Sequence, residues 1–367
     1  MISIHGEFIA LGDTHFFDKN FNIDFFENQM KFYEEQLFPY MEENNIKYII
    51  QTGDLFDNRT TINIHLFNLF TNRFCDYLKE HDITMISFLG NHDIVFRNTR
   101  DFNMTKYLEK MYPDNIKIIQ DQTIVDVNGH KVGMVPWLLP DERIDDNILL
   151  NSRYIIGHFE LNGYNHSRNV VDTKSNLKAD IFTNQKKVFS GHYHLNHSKG
   201  KVHYLGTPYQ SDFGDYGNDV GFYHFKEDFK YEFVANVVSI KYVHMFYDDR
   251  DITPMRMYYD PNKPLYVTLE EFKGLSPVEA KFVVECARDT LYEDFILVLK
   301  EKGYKFSFLN NMELESNEMD SQEVIDSATL KTTEHFILDY IKEYNSELFD
   351  VAQEILSEIE SELSEGE

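Results

Sequence analysis

The sequence has few cysteines, a single tryptophan and no long apolar run. Its two cysteines, Cys75 and Cys286, are too few for a disulfide framework, so both are expected to be reduced core residues. No apolar stretch reaches the roughly 18 residues needed to cross a bilayer. The opening residues MISIHGEFIALGD lack the basic region of a secretory signal. These absences argue against a membrane protein and predict a cytoplasmic location.

Basic residues are also scarce. The 367 residues include 35 Lys and Arg against 62 Asp and Glu, which gives a net charge of -27. Nucleic-acid affinity usually depends on Lys and Arg that neutralise phosphates, so the overall field of this chain opposes it. A nucleic-acid role would therefore require local chemistry, bound cations or a partner.

Short apolar runs alternate with longer amphipathic ones along the first two thirds of the chain. Buried strands are predicted at 8–11, 48–50, 83–89, 154–156 and 187–189, and helices at 24–43, 62–80 and 101–111. Asn128 and Gly129 predict a tight hairpin turn. The pattern is that of an α/β fold with two sheets flanked by helices.

The composition of the sequence changes after about residue 228. Residues 229–309 are expected to form a smaller module, 310–332 an acidic linker, and 333–367 a helical segment. That segment carries an apolar stripe at helical spacing: Leu348, Ala352, Ile355 and Ile359. The stripe predicts either a partner-binding helix or one that packs on its own core.

Polar side chains follow each of the five predicted strands. They are Asp13 and His15, then Asp54, then Asn91, His92 and Asp93, then His158, and finally His192 and His194. Carboxylate and imidazole ligands together suit divalent first-row metals. Their number exceeds the need of one ion, and two ions about 4 Å apart are a known arrangement for phosphoryl transfer. The sequence therefore predicts a two-metal site.

Each of these elements also has a plainer explanation. A Gly-Asp or Gly-Asn pair after a strand is most often a turn. His192 and His194 would share one face if both lay in a strand, but a surface pair is as common as a ligand pair. The joint occurrence at successive strand ends favours the metal site. His197 fits no such position and is expected in a loop, and Tyr193 is expected to pack against the scaffold.

The series GDTH, GDLFD, GNHD, GH and GHYH, in that order between Gly12 and His194, resembles the calcineurin-like metallophosphoesterases. Within that superfamily, the stretches VPWLLPDE, IGHFELNG and YLGTP resemble the Mre11/SbcD nucleases, above all their form in T4-like phages. The likeness covers about residues 6–226. It implies a four-layer α-β-β-α metallophosphoesterase sandwich over 1–228, a small α+β capping, DNA-binding-like domain over 229–309, and a C-terminal helical tail.

The resemblance also implies roles for individual residues. A first metal would be held by Asp13, His15 and His194, a second by Asn91, His158 and His192, and both by a bridging Asp54. His92 would act catalytically, by protonating the leaving 3′-oxygen or by stabilising charge. Asp93 would orient His92 or merely cap the loop.

Substrate contacts are less defined by the resemblance. Many cellular members have histidine where this chain has Asp57, and a carboxylate there repels phosphate unless it orients a water or a histidine. The other candidate substrate contacts are His166, Arg168 and Lys201.

The function implied is a DNA nuclease of recombination and repair with two divalent ions, Mn²⁺ preferred and Mg²⁺ possible. It would combine 3′→5′ duplex exonuclease and single-strand endonuclease activity. Its partner would be a Rad50/SbcC-like SMC ATPase bound through the C-terminal stripe, with two nuclease subunits in a heterotetramer, located in the host cytoplasm if the source is viral. The alternative is a phosphomonoesterase or phosphoprotein phosphatase on the same core. A scaffold without activity is disfavoured, because none of the seven ligand positions is lost.

Overall fold

The computed structural model describes residues 3–17, 21–168, 170–251, 253–260, 263–274, 280–286, 293–301 and 303–309. Its α-helices are α1 (Ile23–Phe32), α2 (Phe38–Glu43), α3 (Ile64–Phe70), α4 (Asp76–Glu80), α5 (Thr105–Met111), α6 (Asp146–Asn151), α7 (Leu269–Gly274) and α8 (Glu293–Glu301). Single π-helical turns at Tyr33–Leu37 and Thr71–Cys75 join α1 to α2 and α3 to α4. Asn22 and Asn63 cap α1 and α3 by accepting backbone N–H bonds.

The strands in the described residues are β1 (Ser3–Ile4), β2 (Phe8–Leu11), β3 (Tyr48–Gln51), β4 (Thr84–Phe88), β5 (Ile94–Phe96), β6 (Thr99–Asn103), β7 (Ile116–Ile119), β8 (Thr123–Val127), β9 (His130–Val135), β10 (Tyr154–His158), β11 (Asn165–Ser167), β12 (Val170–Val171), β13 (Lys187–Gly191), β14 (His197–Lys199), β15 (Val202–Tyr204), β16 (Gly221–Phe225), β17 (Tyr231–Ala235), β18 (Lys241–Tyr247), β19 (Met255–Asp260), β20 (Lys263–Val267), β21 (Ala280–Cys286) and β22 (Lys305–Leu309).

Two large sheets organise the first unit of the chain, whose main part ends at Val243. One has six strands in the order β17-β16-β2-β3-β4-β7, with β2, β3, β4 and β7 parallel. The other has seven strands in the order β1-β8-β9-β10-β13-β15-β14, with β9, β10, β13 and β15 parallel. Because parallel strands of one sheet end at the same edge, the loops after β2, β3 and β4 share one rim, and so do those after β10 and β13.

Alternating side chains place the two sheets between two helical layers. Residues of both sheets share one buried core, which includes Phe8, Ile50, Ile86, Met134, Ile156 and Phe189. The opposite face of the six-stranded sheet packs on the α1 to α4 region through Ile9, Ile49, Met85, Phe26, Phe70 and Phe74. The opposite face of the seven-stranded sheet packs on α6 through Ile155, Val188 and Ile148. The layers are thus α-β-β-α, as the resemblance implied.

Most sequence-based elements are found, with one clear error. Asn128 and Gly129 have φ of 53° and 76°, the left-handed pair that a two-residue hairpin between β8 and β9 requires. The helix predicted at 101–111 starts only at Thr105. Thr99–Asn103 instead pairs with Ile94–Phe96 as a hairpin, so tertiary pairing overrides the helical spacing there.

The predicted domain boundary at 228 falls inside a hairpin. Strand β17 pairs with β16 in the six-stranded sheet, so the first unit cannot end between them. Contacts place the main division after Val243. The correction follows from the backbone pairing of Tyr231–Ala235, which the change in composition did not reveal.

A five-stranded sheet in the order β20-β19-β18-β21-β22, with α7 and α8, follows in the range expected for the smaller module. Phe295 stacks on Tyr247 with ring centroids 4.3 Å apart. The predicted linker, the helical segment and its stripe of Leu348, Ala352, Ile355 and Ile359 lie outside the described residues. None of the described helices has the length and apolar composition of a bilayer crossing.

Candidate metal centre

The polar side chains predicted as ligands meet where the two large sheets present their strand ends. The six-stranded sheet contributes the loops after β2, β3 and β4, and the seven-stranded sheet contributes the end of β10 and the loop after β13. Backbone bonds join the first two loops, since the N–H groups of Thr14 and His15 donate to the carbonyl of Asp54. One loop therefore sets the position of the next.

Glycines make room for two of the carboxylates. A Cβ at Gly90 would lie 2.1 Å from the Asp54 carboxylate, and one at Gly191 would lie 2.4 Å from the Asp13 carboxylate. Such distances are impossible between real atoms, so only glycine lets these acids occupy the rim.

Asp13, His15 and His194 form a first cluster that could hold a metal ion. The Nε2 atoms of His15 and His194 are 3.1 Å apart, and the Asp13 carboxylate lies 3.9 Å from His194 Nε2. The backbone N–H of His192 donates to both Asp13 oxygens, at 3.0 and 2.9 Å. Asp13 is therefore fixed with its remaining lone pairs toward the histidines.

Asp54, His158 and His192 form a second such cluster. His158 Nε2 lies 3.4 Å from Asp54 Oδ2 and 3.0 Å from Asn91 Oδ1. Asn91 Oδ1 is also 2.9 Å from His192 Nδ1. Asp54 Oδ2 reaches toward the first cluster too, 3.9 Å from His15 Nε2. This position between the clusters is the one that a bridging carboxylate requires.

The donor set fits a cation. His158 Nδ1 bonds to the backbone carbonyl of Thr52 at 2.9 Å, which places the proton of a neutral ring there. Nε2 faces the oxygens of Asn91 and Asp54, and the carboxylates raise the pKa of His158 so that a proton lies between these atoms when no metal is bound. A divalent ion would replace that proton, because all three atoms are ordinary ligands of first-row metals.

The charges of the site shift its pKa values in opposite directions. Burial raises the pKa of Asp13 to about 6. Burial opposes a charged His158, but the carboxylates of Asp54 and Asp13 outweigh it and raise its pKa to about 9. Burial, together with the neighbouring histidine charge, lowers the pKa of His192 to about 3. Burial likewise lowers the pKa of His194 to about 3. A neutral, lone-pair-bearing imidazole is the state in which histidine binds a metal.

The backbone is strained at three of these positions. His15, Asp54 and His192 have φ of 41°, 54° and 88°, a left-handed region that L-residues with side chains rarely adopt. His192 follows β13 instead of continuing it. His192 and His194 therefore do not share one face of an extended strand, and the turn at His192 directs the two rings to different clusters.

His92 lies beside the clusters with its ring partly exposed. Its backbone N–H donates to Asp54 Oδ1 at 2.7 Å, and its Nδ1 is 2.8 Å from the backbone carbonyl of Asp57. About a third of the side chain is accessible. The Nε2 edge is thus free to meet a substrate while the other edge is held.

Asp93 caps the loop, and its hydrogen bonds in the described structure go to backbone N–H groups and not to the ring of His92. Its buried carboxylate accepts the backbone N–H groups of Leu55, Phe56 and Gly90, at 3.1, 3.3 and 2.9 Å. Of the two roles left open by the sequence, the geometry supports the structural one. The catalytic assignment of Asp93 is corrected because its oxygens are used by three backbone donors.

Three predicted substrate contacts find other roles or weak support. Lys201 Nζ donates to the backbone carbonyls of Phe182 and Thr183, which commits it to the scaffold. Arg168 donates to Asn218 at 3.4 Å. His166 packs near the ring of Tyr193, 5.7 Å between centroids. Lys201 is therefore an incorrect assignment.

Sequence reasoning missed a cleft beside the second cluster. It has a volume of about 1100 Å³, and its lining includes Asn91, His158, His192, Trp137 and four cations: Arg59, Arg97, Arg143 and Lys178. Among the described residues, no carboxylate forms an ion pair with these four cations. The only sequence signal was Trp137 in VPWLLPDE, because the cations are dispersed along the chain.

The three histidines His192, His194 and His197 divide into two candidate ligands and one structural residue, although His197 lies in a strand and not in a loop. Tyr193 is 1% exposed and donates to Asp172 at 2.7 Å, so it packs against the scaffold. His197 begins β14 instead of lying in a loop. Its ring stacks on Tyr204 with centroids 5.1 Å apart, and its Nε2 accepts the backbone N–H of Asn165. His197 is a structural residue.

Comparison with known proteins identifies one family for most of the chain. Residues 6–234 match the calcineurin-like phosphoesterase family. The chain is 32% identical over 206 residues to exonuclease subunit 1 of Enterobacteria phage T4, which covers 55% of this chain and 60% of the relative. It is 23% identical over 221 residues to the putative phosphoesterase 078R of Invertebrate iridescent virus 3, covering 56% and 58%. A solved archaeal phosphodiesterase is similar at a TM-score of 0.32 and 12% identity, over 62% of this chain and 99% of that one.

Proposed function

The chain belongs to the calcineurin-like phosphoesterase family, and from that premise we propose that it is a metal-dependent nuclease that hydrolyses phosphodiester bonds in DNA. The observation that carries the proposal is the pair of adjacent ligand clusters with Asp54 between them. The similarity to a phage exonuclease subunit supports DNA as the substrate. The chain spans about 60% of the length of that relative, so DNA as the substrate is a proposal for this chain.

Two divalent ions fit the donor set. The first would be held by Asp13, His15 and His194, the second by Asn91, His158 and His192, and Asp54 would bridge them. Metal ions in such pairs act as Lewis acids and neutralise charge on the phosphate in the transition state. We propose Mn²⁺ as the preferred ion, since imidazole-rich sites favour first-row metals over Mg²⁺.

The protein's own residues would complete the site. His92, held by its backbone N–H and its Nδ1, lies beside the clusters with its ring partly exposed, and we propose that this ring assists the departure of the leaving oxygen. The buried Asp93 keeps the loop of His92 in place through its three backbone bonds. Holding reacting groups in one geometry removes part of the entropic barrier.

The cleft supports a polynucleotide substrate. Its volume of about 1100 Å³ exceeds the usual range for small-molecule pockets, and it leads to the second cluster. Trp137, whose ring lies 5.0 Å from that of His192, offers a face on which a base can stack. Five carboxylates also line the cleft: Asp141, Glu142, Asp146, Glu160 and Asp180. The chain by itself is therefore expected to hold DNA weakly.

The proposed reaction is tested by comparing substrates in the presence of Mn²⁺. Bis(p-nitrophenyl) phosphate and a single-stranded oligonucleotide are expected to be hydrolysed, and p-nitrophenyl phosphate to be a poor substrate. Chelation of the metal is expected to abolish both activities. Preferential hydrolysis of the monoester would instead identify the alternative, a phosphomonoesterase. Hydrolysis of cyclic nucleotides without cleavage of DNA would reject DNA as the substrate.

A cleft variant tests the path of the DNA. Arg97→Ala with Arg143→Ala is expected to raise KM for a single-stranded oligonucleotide while the rate with bis(p-nitrophenyl) phosphate stays unchanged. The slope of log Kd against log salt should fall by about 1.4, since each lost phosphate contact removes roughly 0.7 on single strands. Titrations of a labelled oligonucleotide at several salt concentrations give this slope.

The matched control for that variant is Arg153→Ala with Lys186→Ala, which removes the same number of charges from exposed positions. Arg153 is an exposed arginine directly before β10, at the opposite end of the strand from His158. The control variant should leave both KM and the salt slope at their wild-type values. Equal effects of the two variants would show that only the overall charge matters and would reject the cleft as the binding path.

We further propose a partner for this subunit. The relative from phage T4 is named as a subunit, and a net charge of -27 leaves DNA affinity to be supplied from elsewhere. A Rad50/SbcC-like ATPase, with two copies of this chain in the host cytoplasm, is the expected assembly. Cleavage of duplex ends that requires added partner ATPase supports it, and full activity of the chain alone contradicts it.

A further inference from the structure

Asp57 lies where two imidazoles of the site meet. The backbone N–H of Asp57 donates to the carbonyl of Phe16 at 3.1 Å, and the N–H of Phe16 donates to the carbonyl of Leu55 at 2.9 Å. These bonds hold the segment after Asp54 against the segment that carries His15. Asp57 therefore has little freedom to point elsewhere, and only about a third of its side chain is exposed.

The carboxylate of Asp57 faces the outer nitrogen of His15. Asp57 Oδ1 is 3.4 Å from His15 Nδ1, and His15 is almost fully buried. That Nδ1 atom is buried and has no hydrogen-bond partner of good geometry in the described structure. A buried polar nitrogen is costly unless it is satisfied, so a small rotation that closes the gap to Asp57 is favoured.

A different group of Asp57 holds His92. The backbone carbonyl of Asp57 is 2.8 Å from His92 Nδ1, whereas its carboxylate is 3.6 Å from the same atom. Any residue at position 57 would offer that carbonyl. Because the main-chain carbonyl already holds His92 Nδ1 at 2.8 Å, the carboxylate of Asp57 is the group that remains for the buried Nδ1 of His15.

From these contacts we infer that Asp57 is a positioning residue, whose carboxylate accepts a hydrogen bond from the Nδ1–H of His15 and so directs the Nε2 lone pair of that ring to the first metal. This inference rests on the proposed metal centre. It replaces the earlier expectation that Asp57 contacts substrate. Carboxylates that bind the outer nitrogen of a ligating histidine fix its tautomer and raise its basicity.

The geometry at Nε2 agrees with this role. His15 Nε2 lies 3.1 Å from His194 Nε2 and 3.9 Å from Asp54 Oδ2. A proton on Nε2 would prevent that nitrogen from binding a metal. The tautomer with its proton on Nδ1 leaves the Nε2 lone pair available. The negative charge that would otherwise repel phosphate is then neutralised in part by its own hydrogen bond.

The test is metal affinity, measured without substrate. Asp57→Ala is expected to weaken binding of Mn²⁺ by about 10- to 100-fold in calorimetric titration, the usual cost of losing such a partner. Asp57→Asn keeps an acceptor oxygen and is expected to lose less. The isosteric change thus rescues part of the effect, which a general loss of folding would not do.

A spectroscopic measurement reads the tautomer directly. The metal-free protein is held above pH 9, where the His15 ring is neutral, because burial lowers its pKa but the surrounding carboxylates outweigh burial and raise that pKa to about 9. There, ¹⁵N–¹H correlation of the imidazoles should show the His15 proton on Nδ1 in the wild type and in Asp57→Asn. A mixture of tautomers is expected in Asp57→Ala. The control is Asp114→Asn, which removes a carboxylate from an exposed residue before β7 and should change neither Mn²⁺ affinity nor the His15 signal.

Several results would overturn the inference. Wild-type Mn²⁺ affinity in Asp57→Ala contradicts it, and so does an unchanged His15 tautomer. Unchanged metal affinity with a lower KM for DNA would return Asp57 to the role of a residue that repels substrate. Because none of the metal measurements requires DNA hydrolysis, failure of the inference is distinguishable from failure of the proposed nuclease activity.

Discussion

Replacing His194 with alanine is expected to abolish Mn²⁺-dependent DNA cleavage, with a loss of at least about a thousandfold. His194 Nε2 lies 3.1 Å from His15 Nε2 in the first cluster, so the variant removes one of its three protein ligands besides the bridging Asp54. Metal ions contribute several kcal/mol of transition-state stabilisation, and each 1.4 kcal/mol is about tenfold in rate. Single-turnover cleavage of a labelled oligonucleotide measures the loss.

The matched control is His197→Ala, three residues along the chain. That ring stacks on Tyr204 and accepts one backbone N–H, so its removal is expected to cost about 1 kcal/mol of stability and little activity. Calorimetry should show one Mn²⁺ site lost in His194→Ala and none lost in His197→Ala. Wild-type cleavage by His194→Ala, or equal losses in both variants, would reject the assignment of the first cluster.

Replacing His92 with alanine is expected to lower kcat on DNA by about 10²- to 10⁴-fold, while Mn²⁺ affinity stays near the wild-type value. The ring is held at Nδ1 by the Asp57 carbonyl and exposes its other edge beside the clusters. His92→Gln, which keeps hydrogen-bonding atoms but cannot serve as an acid, is the conservative comparison. KM and kcat are measured separately on the same oligonucleotide.

The leaving group separates the two roles left open for His92. A 3′-alkoxide needs a proton as it departs, whereas p-nitrophenolate leaves readily without one. If His92 is the acid, the variant should lose far less activity on bis(p-nitrophenyl) phosphate than on DNA. Equal losses on both substrates would indicate stabilisation of charge in the transition state. A wild-type rate on DNA would remove His92 from the mechanism.

The acidic net charge of the chain conflicts with its proposed DNA substrate, and only a small part of the surface offsets that conflict. The net charge of -27 predicts poor DNA binding, and four cations in one cleft do not change that sum. These four cations determine the path that a phosphate backbone takes across the cleft, because the electrostatic field within a few ångströms depends on the nearest charges. A weakly binding subunit that depends on a partner is consistent with both facts.

The positions of the ligands were predictable because they depend on the local pattern. A buried apolar run followed by Gly and a polar residue marks the end of a parallel strand, and such ends share a rim. Asp13, Asp54, Asn91, His158 and His192 were placed in this way and all meet in the structure. The resemblance of the five motifs supplied the division between two metals.

The roles of Asp57 and Asp93 were not predictable, and the cleft was missed, because each depends on contacts between distant segments. Asp93 accepts N–H groups from residues 37 and 38 positions earlier, so its capping role exists only after the two loops pack. Arg59, Arg97, Arg143 and Lys178 are dispersed along the sequence and line one cleft only in the folded chain. The backbone turn at His192, with φ of 88°, is likewise set by the carboxylate of Asp13 that binds its N–H.

The sequence by itself determined the α/β class, the family and the rim where the chemistry lies, because strand periodicity and ligand type are local properties of the chain. The tertiary structure alone decided which atom of each side chain faces another candidate ligand, a backbone donor or solvent. Those choices depend on how two stacked sheets bring together loops that are far apart in the sequence, as in the 3.1 Å approach of His15 to His194 across 179 positions. Such distances are determined by packing and cannot be read from the spacing of residues along the sequence.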